Sequence, residues 1–326
     1  MDLMISIEQE ILDLTSSNKI TSTESVQSLW SGYGEIIRYS LAGGMYKSII
    51  VKHIQLPKPQ DHPRGWNTTF SHERKLRSYQ VETNWYQDFA SMTNDNCRVP
   101  QVLKVVSSAS EILIIMEDLN ALGYDLRLSP DTVNLATAKA CLAWLASFHG
   151  RFLEVSSEGL WSVGTYWHLE TRPDEYARMG HQSLKDAAIA IDHKLREAKF
   201  QTIVHGDAKI ANFCFSKDGQ VAAVDFQYVG GGCGMKDVAY FISSCFEERE
   251  SEQYEEQLLN YYFNRLEEAI GKSIDYQELK FEWMKLYKYA WADFYRFLDG
   301  WSPGHWKMHG YSEKLTNQVI VELKTR

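Results

Sequence analysis

The chain has 326 residues, 44% hydrophobic and 24% charged, with a formal net charge of -9. That is apolar material enough for one large domain or two lobes, and an acid excess without a dense Lys/Arg stripe argues against nucleic-acid binding. The five cysteines, Cys97, Cys141, Cys214, Cys233 and Cys245, are scattered, odd in number and free of any C-x-x-C pair; a disulfide framework or zinc site is not expected, and a reducing compartment is. The opening stretch MDLMISIEQEILDL carries acids where a signal peptide carries bases. Apolar runs such as ILIIM are too short to span a bilayer. The expected setting is the cytoplasm, with no membrane partner.

Residues 5–16 place apolar side chains at helical spacing and predict a short helix. From Gln27 to Leu56 the texture changes. SLWSGYGEIIRYSLAGGMYKSIIVKHIQL has β-branched and aromatic clusters and glycines at Gly32, Gly34, Gly43 and Gly44, which predicts two or three antiparallel strands turning at AGGM. LPKPQDHPRGWN holds three prolines and reads as a loop. Residues 69–91 predict a helix, and VPQVLKVVSS and EILIIMEDL two more strands. After Leu119 the pattern is mostly helical, and TVNLATAKACLAWLASFHGRF has an apolar stripe ending at His149-Gly150. A hairpin over about residues 203–226 interrupts the helices, which resume near residue 235. The organisation is α+β and bilobal: a β-rich N-terminal lobe with one main helix over residues 1–118, then a larger α-rich lobe over 119–326.

The stretch TIVHGDAKIANFCF leads into that hairpin. NFCFS and QVAAVDF flank the turn signal KDG. Pairing about the turn sets residue 216 opposite about 220 and residue 212 opposite about 224. Asn212 and Asp225 then meet at the open end, with Asp207 in the loop just before and Lys209 between. Two carboxylates and an amide oxygen suit Mg2+, which keeps several waters and takes few protein ligands. A carboxylate outside the metal set could accept a proton from an attacking hydroxyl. These are the parts phosphoryl transfer needs.

Such a site needs a nucleotide half. SGYGE, residues 31–35, lies between two strands, and Gly32 and Gly34 could let backbone N–H groups approach phosphate oxygens. Lys52 closes the strand-like SIIVK and could reach the α- and β-phosphates of ATP, with a glutamate of the next helix as partner. Glu82 is preferred, since Tyr86 and Phe89 follow it on the core-facing stripe; Glu73 is the alternative. IIMEDLN ends a strand at Met116, Glu117, Asp118 and Leu119, where a linker would carry the adenine on its backbone groups.

Taken together, these residues resemble the protein-kinase-like fold of the aminoglycoside phosphotransferase and choline kinase superfamily. HGDAKIAN matches its H-G-D-x-x-x-x-N loop, VDFQ (224–227) its metal strand, MEDL its inter-lobe segment and KDVAYF (236–241) its downstream helix. The D-F-Q form is closest to the choline/ecdysteroid kinase-like branch, and the resemblance runs from about residue 27 to about 300. It implies an ATP- and Mg2+-dependent transfer to a small-molecule alcohol, with Asp207 as base, Asn212 and Asp225 as Mg2+ ligands, and Lys52 and Glu82 as the nucleotide-lobe ion pair. It also implies structural roles for His205 and Asp237. Lys209 stands at the spacing of the protein-kinase D-x-K-x-x-N lysine and either stabilises the transferred phosphoryl group or is a solvated loop lysine. The turn at Gly32 lacks the third glycine of a full phosphate loop. YVGGGCGM (228–235) reads either as a mobile segment or as a tight connection.

For the acceptor, LYKYAWADFYRFLDGWSPGHW (286–306) offers a stripe of Tyr287, Trp291, Phe294 and Leu298 that reads as core. Asp293, Trp301 and Trp306 read as pocket lining. An aromatic wall with an acid could hold a choline-like cation or cover a sterol-like alcohol; sugars and aminoglycosides stay open, as does the oligomeric state. His305 and His309 stand four apart but lack a third ligand. The rival reading is a nucleotide-binding pseudokinase or regulatory scaffold without turnover.

Overall fold

A computed structural model describes residues 4–29, 32–56 and 69–325. Helix α1 (Met4–Thr15) precedes three antiparallel strands, β1 (Lys19–Ser28), β2 (Gly34–Ala42) and β3 (Ser48–Gln55). After α2 (Thr69–Asn84) come β4 (Val102–Ser107) and β5 (Glu111–Glu117), which complete a five-stranded sheet in the order β1-β2-β3-β5-β4. The predicted proline loop lies mostly outside the described residues. β1 begins well before the apolar texture does, because KITSTESVQS is an edge strand exposed along nearly its whole length; a strand that buries neither face leaves no alternating signal.

The period of two sorts the central strands. On one face Ile49 and Val51 of β3, with Leu113 and Ile115 of β5, pack under Ile7 and Ile11 of α1. On the other, Ile54, Ile112, Ile114 and Met116 join Tyr79, Val81 and Trp85 in the main core. Lys52 shares this second face and therefore points toward α2. Contrary to the sequence reading, Lys52 does not close its strand. β3 continues to Gln55 and is paired on both sides, to β2 and to β5. The helix expected over 69–91 is α-helical only to Asn84, then widens into a π turn at Trp85–Phe89 that buries Trp85 and Tyr86.

The rest is a helical region around two small sheets. α3 (Leu135–Arg151) runs on through Gly150 and packs on α7 (Glu248–Ala269). α4 (Pro173–Arg178), α5 (Gln182–Arg196), α6 (Met235–Cys245) and α9 (Gly310–Lys324) pack on α8 (Tyr276–Trp301). β6 (Leu126–Arg127), β8 (Phe213–Phe215) and β9 (Val221–Ala223) form one sheet, and β7 (Thr202–Val204) pairs with β10 (Gly230–Gly232). The glycine segment 230–234 is mostly buried, its first three residues paired along β7; it is a tight connection. All five cysteines are free and buried. Tyr287, Trp291, Phe294 and Leu298 are buried, as their spacing predicts. Among the described residues no helix is long and apolar enough to cross a membrane.

α3 starts with a capping box: Asn134 accepts from the N–H groups of Ala136 and Thr137 at 2.9 and 3.0 Å, and Thr137 Oγ1 accepts from the Asn134 N–H. Asn134→Ala is expected to cost about 1 kcal/mol, read as a lower urea midpoint with an unchanged slope.

Candidate active site

The loop between β7 and β8 is held from behind. Asp237, fully buried on the first turn of α6, accepts from the His205 N–H at 2.6 Å and the Gly206 N–H at 2.9 Å. His149 of α3 adds a third contact, Nε2 to Asp237 Oδ2 at 3.1 Å, while its Nδ1 lies 2.8 Å from the Tyr262 hydroxyl. Gly206 has φ +79°, and a Cβ there would lie 2.0 Å from the Tyr228 carbonyl oxygen, so conformation and space both require glycine. His205 bridges loop and hairpin: Nε2 donates to the Val224 carbonyl at 3.0 Å and Nδ1 accepts from the Asp207 N–H at 3.3 Å. These partners assign the tautomer.

Asp207 is almost wholly buried, with its carboxylate fixed on both oxygens. Tyr240 of α6 donates to Oδ1 at 3.0 Å. Lys209 Nζ at 2.7 Å and Asn212 Nδ2 at 3.2 Å donate to Oδ2. Burial and the neighbouring Asp207 charge push the Tyr240 phenol well above its ordinary value, so it stays a donor. Burial alone would lower Lys209, but Asp207 outweighs it and holds the ammonium above its ordinary value. Lys209 is thus ion-paired, not a freely solvated lysine. The hairpin register is the expected one: Phe213 faces Ala223, and the Val224 N–H donates to the Asn212 carbonyl at 3.0 Å.

Lys52 Nζ meets both carboxylate oxygens of Glu82, at 2.8 and 2.6 Å, and both side chains are buried. Glu73, the other candidate, is exposed. Burial raises the Glu82 carboxyl, and Lys52 draws it part of the way back. Lys52 also lies 3.9 Å from Asp225 Oδ1, joining the N-terminal sheet to the hairpin. Gly32 and Gly34 take φ of +76° and +123°; at Gly34 a Cβ would stand 2.0 Å from the His53 carbonyl oxygen, so the contact with β3 itself demands glycine. Met116 is buried opposite Ile50, and the Glu117 carboxylate pairs with Arg98 at 2.7 Å. Asp118 accepts from Arg38 and Ser48 at 2.8 and 2.7 Å, and Leu119 is buried beside Tyr124. The side chains along this segment are therefore buried or committed to partners within the protein.

Asp225 has φ +70°, a left-handed backbone rare outside glycine and typical of strained functional positions. Its Oδ1 is buried without a hydrogen-bond donor. Burial by itself would raise its carboxyl, but Lys52, Lys209, Lys75 and His205 together hold it below the usual range. The Asn212 amide nitrogen is committed to Asp207, to its carbonyl at 2.8 Å as well as to Oδ2, which leaves Asn212 Oδ1 as the outward acceptor. Among the described residues no three His, Cys, Asp or Glu side chains gather as a metal cluster. One orphaned carboxylate oxygen and one amide oxygen fit Mg2+, which keeps most of its waters.

The sequence reading misses two residues at the site. Lys75 of α2 donates to Gln227 Oε1 at 2.8 Å and lies 4.6 Å over the Tyr79 ring; burial and then Lys52 push it down to about 8. Lys307, after α8, lies 4.7 Å over the Tyr240 ring. Helical spacing would have shown Lys75 seven residues before Glu82, but Lys307 sits in a loop with no periodicity. Asp293, expected to line a pocket, is 1% exposed. Its oxygens are engaged by Arg296 at 2.8 Å and the Trp167 indole at 2.9 Å, with Lys236 at 3.7 Å. Trp301 and Trp306 are exposed. His309 caps α9 by accepting from the Ser312 N–H, and His305 accepts from the Lys307 N–H, so neither ring is poised as a metal pair.

Residues 165–276 match the model of the Ecdysteroid kinase-like family, a stretch containing Asp207, Asn212, Asp225 and Asp237 but neither Lys52 nor Glu82. The chain is similar in structure to an amicoumacin kinase, hAmiN, in complex with AMP-PNP, Ca2+ and Ami: TM-score 0.51, 11% identity, covering 100% of this chain and 96% of that one. It is similar also to a thermostable mutant of the aminoglycoside phosphotransferase APH(4)-Ia in ternary complex with AMP-PNP and hygromycin B: TM-score 0.50, 13% identity, covering 98% and 100%. No curated protein matches the chain. The fold is the protein-kinase-like one, an antiparallel sheet region followed by a helical region.

A lysine held near 8 binds fewer protons folded than unfolded between pH 8 and its ordinary 10.5, so its contribution to stability rises with pH across that window. Denaturant midpoints should show wild type gaining on Lys75→Met from pH 8 to 10.5; a flat difference would mean that Lys75 titrates as an exposed lysine.

Proposed function

We propose that this chain, with a protein-kinase-like fold and an ecdysteroid kinase-like segment over residues 165–276, is a cytoplasmic ATP- and Mg2+-dependent kinase that transfers the γ-phosphoryl group to a hydroxyl of a small molecule. One observation carries the reading. Asp207, Asn212 and Asp225 are gathered at one hairpin, and the buried Lys52–Glu82 pair closes onto Asp225 from the sheet side at 3.9 Å. The kinase names of the matched family and of the similar structures support it.

In this reading Lys52, held straight by Glu82, binds α- and β-phosphate oxygens. Asn212 Oδ1 and Asp225 would hold Mg2+, which when bound neutralises the phosphate oxygens. Asp207 accepts a hydrogen bond from the acceptor hydroxyl and orients it toward the γ-phosphorus, taking its proton as the new O–P bond forms and the bond from the γ-phosphorus to the β–γ bridging oxygen breaks, with ADP leaving. Tyr240 and Asn212 keep the carboxylate in one plane. Lys209, paired to Asp207 and half-exposed, faces the transferred group and balances charge there. In this reading the nucleotide would lie between the sheet and the helical region, on either side of a lobe division near residue 118.

Asp207→Asn should leave nucleotide binding intact and lower turnover by about 10²–10⁴-fold in an ATP-consumption assay over a panel of alcohols. Equal rates for wild type and variant on every alcohol, with nucleotide still bound, would favour the pseudokinase scaffold instead. Asp225→Ala should abolish the Mg2+ dependence of nucleotide binding by calorimetry; binding that keeps its Mg2+ dependence would remove Asp225 from the metal site.

A further inference from the structure

Beside Asp207 the structure holds an aromatic box, and the box is already filled. Tyr240, whose hydroxyl donates to Asp207, lies 5.6 Å from Tyr166, which lies 5.4 Å from Phe297. Phe297 stacks on Trp301 at 5.4 Å, and His305 continues the wall to Trp306. Lys307 closes the circuit. Its Nζ lies 4.7 Å from the Tyr240 ring centre, 5.3 Å from that of Phe294 and 5.5 Å from that of Trp306. All three are within cation–π range. The side chain is 8% exposed, and among the described residues its ammonium has no hydrogen-bond or ion-pair partner.

An ammonium held against a core with no directly paired acid is costly to charge; the three ring faces and the nearby Asp207 charge compensate this one. Burial pushes it down to about 8, with Asp207 opposing that fall, so it is mostly charged at neutral pH. Asp293 is shielded by Arg296, Trp167 and Lys236, and Asp207 is paired with Lys209. Arg172 lies over the Tyr166 and Phe297 rings, adding a second positive charge to the cluster. Trp301 and Trp306 meanwhile leave 47% and 45% of their surface open, so the outer edge of the aromatic cluster is apolar.

We propose that Lys307 is a built-in cation that occupies the aromatic box, so that the pocket accepts hydroxyl compounds without a positive charge and turns away amine and quaternary-ammonium alcohols. The inference rests on the kinase reading for its acceptor and names the class of that acceptor. A cationic alcohol would have to displace Lys307 or stand beside it uncompensated. An uncharged alcohol can lay an apolar face on Trp301 and Trp306 and present its hydroxyl to Asp207.

The test titrates tetramethylammonium, and separately choline, into wild type and Lys307→Ala by calorimetry, with nucleotide binding as the check that the variant is folded. Wild type should show no saturable binding. The vacated box should bind tetramethylammonium at least about tenfold more tightly. Wild type binding tetramethylammonium as tightly as the variant, or phosphorylating choline faster than uncharged alcohols, would overturn the proposal. The wild-type arm stands even where Lys307→Ala does not fold. Gain of tetramethylammonium binding without turnover on any alcohol would remove the kinase reading while keeping the box assignment.

Discussion

Everything at the candidate site hangs on one fully buried carboxylate. Asp237 gathers the His205 and Gly206 N–H groups and the His149 ring at 2.6, 2.9 and 3.1 Å. Hydrogen bonds to a charged acceptor are strong, and stronger where water is excluded. They fix the backbone ahead of Asp207, and Gly206 lets that backbone pass within reach of Tyr228. His149 in turn is tied to Tyr262, and its carbonyl accepts from Thr202. α3, α6, α7 and β7 therefore meet at a single anion, and the loop cannot shift without breaking several charged contacts at once.

A second constraint joins this anchor to the sheet. Phe226, fully buried, stacks on Trp85 at 4.5 Å and packs on His205 at 4.6 Å. Trp85 lies in the π turn that follows Glu82. The helix that supplies Glu82 to Lys52 is thus packed, through one ring, against the histidine that shapes the loop of Asp207. Charge complements the packing: Lys52, Lys75 and Lys209 lie around Asp225 and interleave with the Glu82 and Asp207 carboxylates. In the proposed kinase reading those ammonium groups are the ones that would meet phosphate, and Arg172 and Lys307 lie at the acceptor end.

The hairpin was legible because three signals agreed: turn chemistry at Lys217-Asp218-Gly219, apolar runs on both sides and a period of two. They set Asn212 against Val224, and β8 and β9 pair in that register. The early strands were legible where they bury a face, as β3 and β5 do, and illegible at β1, which buries neither. The acceptor side was hardest to read. Asp293 looks available in sequence because its partners Trp167 and Arg296 lie 126 residues before it and one helical turn after it. Nothing in the chain announces that both point at it.

Sequence alone determined the alternation of a sheet region and a helical region and the spacing of Asp207, Asn212 and Asp225, because periodicity and turn chemistry are local. Tertiary structure alone decided the partner of Lys52, the left-handed backbone of Asp225, the closing of the glycine segment into β10 and the place of Lys307. Those outcomes depend on which surfaces meet across 30 residues for Lys52 and Glu82, or between a late loop and α6 for Lys307 and Tyr240. Burial and electrostatics of that kind arise only when distant segments pack together.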